Sequence, residues 1–116
     1  MKALGTKGED IAVRFLQKKG YRIVARNYKT PVGEIDIIAR DGETTVFIEV
    51  KTRTVVSFGY PFEAVDNRKK HKLKNLALLY LKRQGKESAV RFDVLSIFCR
   101  DNGIEEIEHI KDAFEV

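Results

Sequence analysis

One cysteine, Cys99, is the only thiol of the chain. A lone cysteine excludes an internal disulfide and fits a reducing compartment. It sits in the apolar run Phe92 to Cys99 and reads as a small core hydrophobe, not a nucleophile. Long apolar runs are missing as well. None approaches the ~20 residues of a membrane span, and the N-terminus has no signal-peptide h-region. A cytoplasmic protein without a membrane partner is the expectation. Histidine is scarce: neither His71 nor His109 has a second ligand at metal-binding spacing, so both are expected at the surface. Internal repeats and low-complexity segments are absent too.

What remains is a chain of one-domain length, residues 1–116, with 43% hydrophobic and 34% charged residues, enough for a real core under a charged surface. The net charge of +5 is uneven. Residues 101–116 hold six acids and one base, leaving 21 bases and 11 acids in the first hundred residues. That excess suggests a polyanionic partner, with phosphate backbones the commonest candidate.

Residues 5–19 read as an amphipathic helix burying Ile11, Ala12, Phe15 and Leu16. Thr6-Lys7-Gly8-Glu9 matches a capping box; alternatively, Glu9 leans toward a sheet as a functional acid. Gly20 is a plausible C-cap before a strand at Tyr21–Ala25. Residues 26–33 then connect, with Tyr28 and Lys29 either in an exposed turn or touching a nucleic acid.

The central stretch is a hairpin, Glu34–Arg40 and Thr45–Arg53, with Asp41-Gly42 as the expected turn. That register pairs Asp36 with Phe47 and makes Asp36 and Glu49 diagonal neighbours roughly 7–8 Å apart. Period-2 alternation sets Glu34, Asp36, Phe47, Glu49 and Lys51 on one face, with Ile35, Ile37, Val46, Ile48 and Val50 on the other. Two carboxylates so placed can converge on a divalent cation, with Lys51 beside them. An exposed charged pair would explain Glu49 and Lys51 alone. Embedded in Val46-Phe47-Ile48-Glu49-Val50 and facing an acid, they point to chemistry.

Residues 52–61 read as a long loop, in which Arg53, Ser57 and Tyr60 are candidates to contact a substrate. Asp66 is the expected N-cap of a helix running to about Gln84 and stopped by Gly85. Leu73, Leu76, Ala77 and Tyr80 form its buried stripe. Its first turns carry Arg68, Lys69, Lys70, Lys72 and Lys74. Positive charge there opposes the helix dipole and hints at an external anion such as phosphate, although such residues also simply solvate a face. Val90–Cys99 reads as an interior strand, and Ile104–Ile110 as an edge strand guarded by charge. The order α-β-β-β-α-β-β implies an α/β fold: a mixed five-stranded sheet with a helix on each face and a parallel crossover through the long helix.

An acid on the second strand followed by E-x-K on the third resembles the PD-(D/E)xK nuclease superfamily. More narrowly, Gly8-Glu9, Gly20-Tyr21, Arg26-Asn27, Gly33-Glu34-Ile35-Asp36-Ile37-Ile38, Phe47-x-Glu49-Val50-Lys51-x-Arg53 and Arg91-Phe92-Asp93-Val94 look like the small YraN-like family, which is similar to archaeal Holliday-junction resolvases. The resemblance implies a restriction-endonuclease-like three-layer α/β/α sandwich and a nuclease acting on DNA, with RNA as an alternative. It implies that Asp36, Glu49 and the Val50 carbonyl bind Mg²⁺ or Mn²⁺, that Lys51 is the catalytic lysine, and that Glu9 matches the helix glutamate of the resolvases. Arg53, Lys69, Lys70, Lys72 and Tyr28 are then the candidate nucleic-acid contacts, and a homodimer would match the two-fold symmetry of a junction. The other expectation is a nucleic-acid-binding module that keeps the fold with little or no chemistry.

Overall fold

The computed structural model describes residues 4–55, 67–85, 89–100 and 105–113. Its elements are α1 (Leu4–Lys18), β1 (Arg22–Thr30), β2 (Gly33–Asp41), β3 (Thr44–Val55), α2 (Asn67–Gln84), β4 (Ala89–Arg100) and β5 (Glu105–Ile110). Residues 56–66, with Ser57, Tyr60 and the expected cap Asp66, lie outside the described residues, as does the expected turn at 101–103. Among the described residues, no helix is long and apolar enough to cross a membrane.

The five strands form one mixed sheet in the order β1-β2-β3-β4-β5. All neighbours are antiparallel except β3 and β4, which run parallel and are joined through α2. Alternate residues of β3 feed two separate cores. Val46 and Ile48 pack with Ile11, Ala12 and Leu16 of α1, together with Ile37, Ala39, Leu95 and Ile97. Phe47 packs with Leu73, Leu76, Ala77 and Tyr80 of α2, together with Ile35, Ile38 and Phe92. One helix therefore covers each face, giving the expected α/β/α layering.

Both helices end where their glycines stand. Gly20 takes φ +92°, its N–H donates to the Gln17 carbonyl, and the Tyr21 N–H reaches back to Leu16. That pair of bonds is the Schellman arrangement, which satisfies carbonyls the helix leaves open. At the other helix, the Gly85 N–H closes on Leu81 and Lys82.

Several expectations need correction. The run from Thr52, read as the start of a loop, stays in β3 as far as Val55. Helix α1 already begins at Leu4, so Thr6 lies inside it and not at its N-cap. β1 continues to Thr30, which puts Tyr28 and Lys29 on a strand instead of a turn. The hairpin turns at Gly42-Glu43, with Asp41 opposite Thr44 and Arg40 opposite Thr45. Gly42, at φ +61°, supplies the positive φ that a tight hairpin turn needs at its first central position.

Candidate active site

The register change moves every β2 residue's partner by two, so Asp36 lies one rung beyond the Ile37–Ile48 pair. The paired rungs stop at Ile37–Ile48. Beyond that point β2 stays with β1 while β3 runs on beside β4 to Val55, so the two strands diverge. Asp36 fills the mouth of this fork. Its Oδ2 accepts a 2.9 Å hydrogen bond from the Val50 N–H, a group that would otherwise have no strand to pair with. In an antiparallel strand a residue's N–H and C=O point the same way, so the Val50 carbonyl also faces the fork.

Strict alternation fails at this rung. Ile35 and Ile38 both belong to the α2-side core, whereas Ile37 and Ala39 belong to the α1-side core. The expected grouping of Ile35 with Ile37 on one face is therefore wrong. On β1, Ala25 and Tyr28 likewise share the α2 side. The two breaks coincide: pairing passes from Arg26–Ile37 to Tyr28–Ile35, with Asn27 and Asp36 between. Asn27 sits there at φ +50°, a left-handed conformation that Asn tolerates better than most side chains. A kink shared by both strands swings Asp36 out of the pleat and toward Val50.

Glu49 is only 9% exposed, and lies on the Phe47 face of β3 beside Val94 of β4. Lys51 follows one pleat later on the same face, half-buried, opposite Ser96. Glu9 approaches from α1, whose Gly8 packs directly on Thr52 of β3. Burial pushes the Glu9 carboxyl above its usual value, the nearby Asp36 carboxylate adds to this, and Arg26 and a hydrogen bond from Asn27 oppose it. Its Oε1 is buried and accepts no hydrogen bond among the described residues. Asn27 was missed as a site residue. Only its place in the Arg26-Asn27 pair could have drawn attention to it.

Among the described residues, no three His, Cys, Asp or Glu side chains gather tightly enough to hold a metal ion. The groups nearest the fork along the two strands are the Asp36 and Glu49 carboxylates and the Val50 carbonyl, all hard oxygen donors. Mg²⁺ is commonly held by one or two carboxylates with water completing the shell, so this donor set fits Mg²⁺ or Mn²⁺.

The basic groups divide. Lys72 of α2 lays its stem across Gly33 at the start of β2, bringing the N-terminal half of α2 to the fork end of the sheet. Lys70 is half-buried and Arg68 exposed on the same helix turns. The Lys69 side chain lies outside the described residues. Arg53, two residues past Lys51, is half-buried and donates to the Thr52 carbonyl at 3.3 Å. Tyr28 is turned to α2 instead: its hydroxyl accepts a bond from Arg83 and its ring stands edge-on to Tyr80.

The sequence profile described as "Uncharacterised protein family UPF0102" matches residues 8–97, a span that takes in Glu9, Asp36, Glu49 and Lys51. The chain belongs to the UPF0102 family. A UPF0102 protein of Geotalea uraniireducens is 48% identical over 116 residues, covering 99% of this chain and 91% of its own length. That of Desulfosudis oleivorans is 50% identical over 110 residues, covering 94% and 89%. That of Dictyoglomus thermophilum is 45% identical over 115 residues, covering 97% and 98%.

This UPF0102 protein also holds a buried polar cluster on the α1 side, away from the fork. Asp93, fully buried on β4, accepts bonds from Arg91 Nε and Nη2, His109 Nε2 and the Asp112 N–H. Arg91 reaches on to Asp41 and the Tyr21 hydroxyl. Burial alone would raise Asp93, but the bonds from Arg91, Asp112 and His109 outweigh it and hold the carboxyl below its ordinary value. His109, expected at the surface, has a side chain only 3% exposed. Lys19 Nζ lies 3.0 Å from His109 Nδ1. An ammonium only donates, so Nδ1 accepts and Nε2 carries the proton given to Asp93. The neutral form agrees with a pKa lowered chiefly by burial.

Proposed function

We propose that this UPF0102 protein is a divalent-metal-dependent nuclease of the PD-(D/E)xK kind, hydrolysing phosphodiester bonds in DNA, with branched or otherwise structured DNA as its preferred form. The observation that carries this reading is Asp36 seated in the strand fork and bonded to the N–H of Val50, the residue between the buried Glu49 and Lys51. A carboxylate drawn out of the pleat and beside another acid is costly unless a cation or donors compensate it.

Asp36, Glu49 and the Val50 carbonyl would hold Mg²⁺ or Mn²⁺, which supplies Lewis acidity at the phosphoryl oxygen and a water of lowered pKa. The Val50 N–H keeps Asp36 oriented toward the fork. Lys51 orients the attacking water or offsets charge on the phosphoryl oxygens. Glu9, half-buried and of raised pKa, is suited to exchange a proton near Asp36. Lys70, Lys72 and Arg53 would receive the strand on the same end of the sheet, with a second copy of the chain serving the other half of a symmetric junction.

The test is incubation with linear duplex, single-stranded and four-way-junction DNA in Mg²⁺ or Mn²⁺. Cleavage that Asp36→Ala and Glu49→Ala each abolish is the expected result, and its absence with every substrate would sink the proposal. Among the described residues no three acids gather, which favours a second reading, a binding module of the same fold without chemistry. That reading expects salt-sensitive, metal-independent DNA binding that survives both substitutions. Competition with RNA of matched length identifies the preferred polymer.

A further inference from the structure

The hairpin-tip end of the sheet, away from Asp36, carries an independent feature. Arg22 of β1 and Arg40 of β2 are direct cross-strand partners. Like charges on facing residues destabilise a sheet, and among the described residues no acid is ion-paired with either. Among the described residues, the Arg22 side chain makes no hydrogen bond or ion pair. Arg40 donates only a long, 3.4 Å bond to the Glu43 carbonyl. The adjacent acid, Asp41, is engaged by Arg91.

Both arginines line a cleft of about 190 Å³, with Val24, Thr45, Tyr80, Leu81 and Gln84 as its other walls. Pairing shifts register between Ile23 and Ala25, which makes Val24 a bulge residue, and Val24, which lines the cleft, is 42% exposed. Bulges commonly re-aim a side chain at an edge or beside a site. The cleft therefore combines two guanidinium groups with unspent donors, polar side chains and an apolar wall.

The last turn of α2 also borders the cleft, and a helix C-terminus carries about −0.5 charge. Two guanidinium groups exceed this, leaving roughly +1.5. Planar forks with five donors each match phosphoryl oxygens better than an ammonium would.

We propose that this cleft binds the phosphoryl group of a nucleotide, shared between Arg22 and Arg40, with the sugar or base against Val24 and Leu81. The nucleotide is either free or the 5′-phosphorylated end of a strand. The site needs neither the metal nor Asp36, so it stands apart from the cleavage reading.

The experiment is a ¹H–¹⁵N NMR titration of the full chain with adenosine, AMP, and a short single-stranded oligonucleotide with and without its 5′-phosphate. AMP is expected to shift the amides of Thr45, Leu81 and Gln84, and adenosine to bind at least tenfold more weakly. The Arg22→Gln/Arg40→Gln double variant should lose at least tenfold in AMP affinity while melting no lower than the wild type, because like-charge repulsion is relieved. An Arg22→Lys/Arg40→Lys variant should fall between the two. Tighter binding of the 5′-phosphorylated strand than of AMP and of its 5′-hydroxyl twin identifies a strand end; otherwise AMP marks a free nucleotide. Equal binding of AMP and adenosine, unchanged affinity in the double variant, or no shifts at these amides in the wild type would each overturn the proposal.

Discussion

Asn27 holds a left-handed backbone in mid-strand and gives its side chain to Glu9. These two roles can be separated by substitution. Asn27→Gly keeps the conformation without steric cost but loses the bond. Asn27→Ala loses the bond and adds about 1–2 kcal/mol of left-handed strain. The alanine variant should unfold at clearly lower urea than the glycine variant, and in both the Glu9 carboxyl, followed by ¹³C NMR, should titrate higher than in the wild type. Glu9 itself supplies a pH test. Its folded pKa is raised, so its contribution to stability is complete below the unfolded value of about 4.5 and is lost as pH rises through the folded one. Glu9→Gln should therefore gain stability over the wild type as pH climbs past 4.5, reaching a plateau near neutrality. A melting-temperature difference flat from pH 4 to 8 would deny that burial and Asp36 strain this acid. None of this was legible in the sequence, because period-2 alternation assumes a strand that does not kink, and Asn27 and Asp36 break that assumption together.

At the scale of elements, β5 is an edge strand tied to the sheet's interior by His109 and Asp93, two residues 16 apart along the chain. Its alternating charges announced an edge but hid the buried histidine, since nothing local shows that an aspartate on β4 waits beneath it. Helices were easier to read: the stripes Ile11/Ala12/Leu16 and Leu73/Leu76/Ala77/Tyr80 pack as expected because burying an apolar face dominates other local preferences. The hairpin turn was misplaced by one residue. Asp41-Gly42 and Gly42-Glu43 both offer a glycine, and only the ladder decides between them. Asp93→Asn leaves Arg91, with a side chain 19% exposed, facing a neutral amide. Removing one partner of a buried pair costs about 3 kcal/mol or more, so this variant should show a matching drop in urea stability and early loss of hydrogen-exchange protection in β5. Acid should act on the same joint. His109 has a lowered folded pKa, so its contribution is lost as pH falls through the unfolded value of about 6.5 toward the folded one. Asp93, also lowered, adds its loss only below about 3.8. Melting temperature should thus decline in two stages on acidification, and His109→Gln should remove the upper stage.

Across the whole molecule, the crossover through α2 sets the helix antiparallel to β3 and β4, so its basic first turns arrive where β2 and β3 diverge. Packing of Lys72 on Gly33, and of Gly8 on Thr52, ties the N-terminal parts of both helices to that one end. Part of the basic excess of the first hundred residues is therefore set beside the acids of the fork, and another part at Arg22 and Arg40. Charge count was readable from composition, but its division between two ends depends on the direction of α2, which only the parallel β3–β4 pairing fixes. If the fork end receives a phosphate backbone, each lysine contacting it releases about one counterion, and log K falls against log salt with a slope near −0.9 per contact for duplex and −0.7 for single strands. Lys70→Ala and Lys72→Ala should each weaken DNA binding uniformly across sequences and make the slope shallower by about one, additively in the double variant. Arg22→Gln/Arg40→Gln should leave that slope unchanged for internal duplex sites, because its cleft lies at the opposite end of the sheet. Fluorescence anisotropy across 50–300 mM KCl measures both slopes. Equal slopes for the wild type and the double lysine variant would remove α2 from the DNA-facing surface.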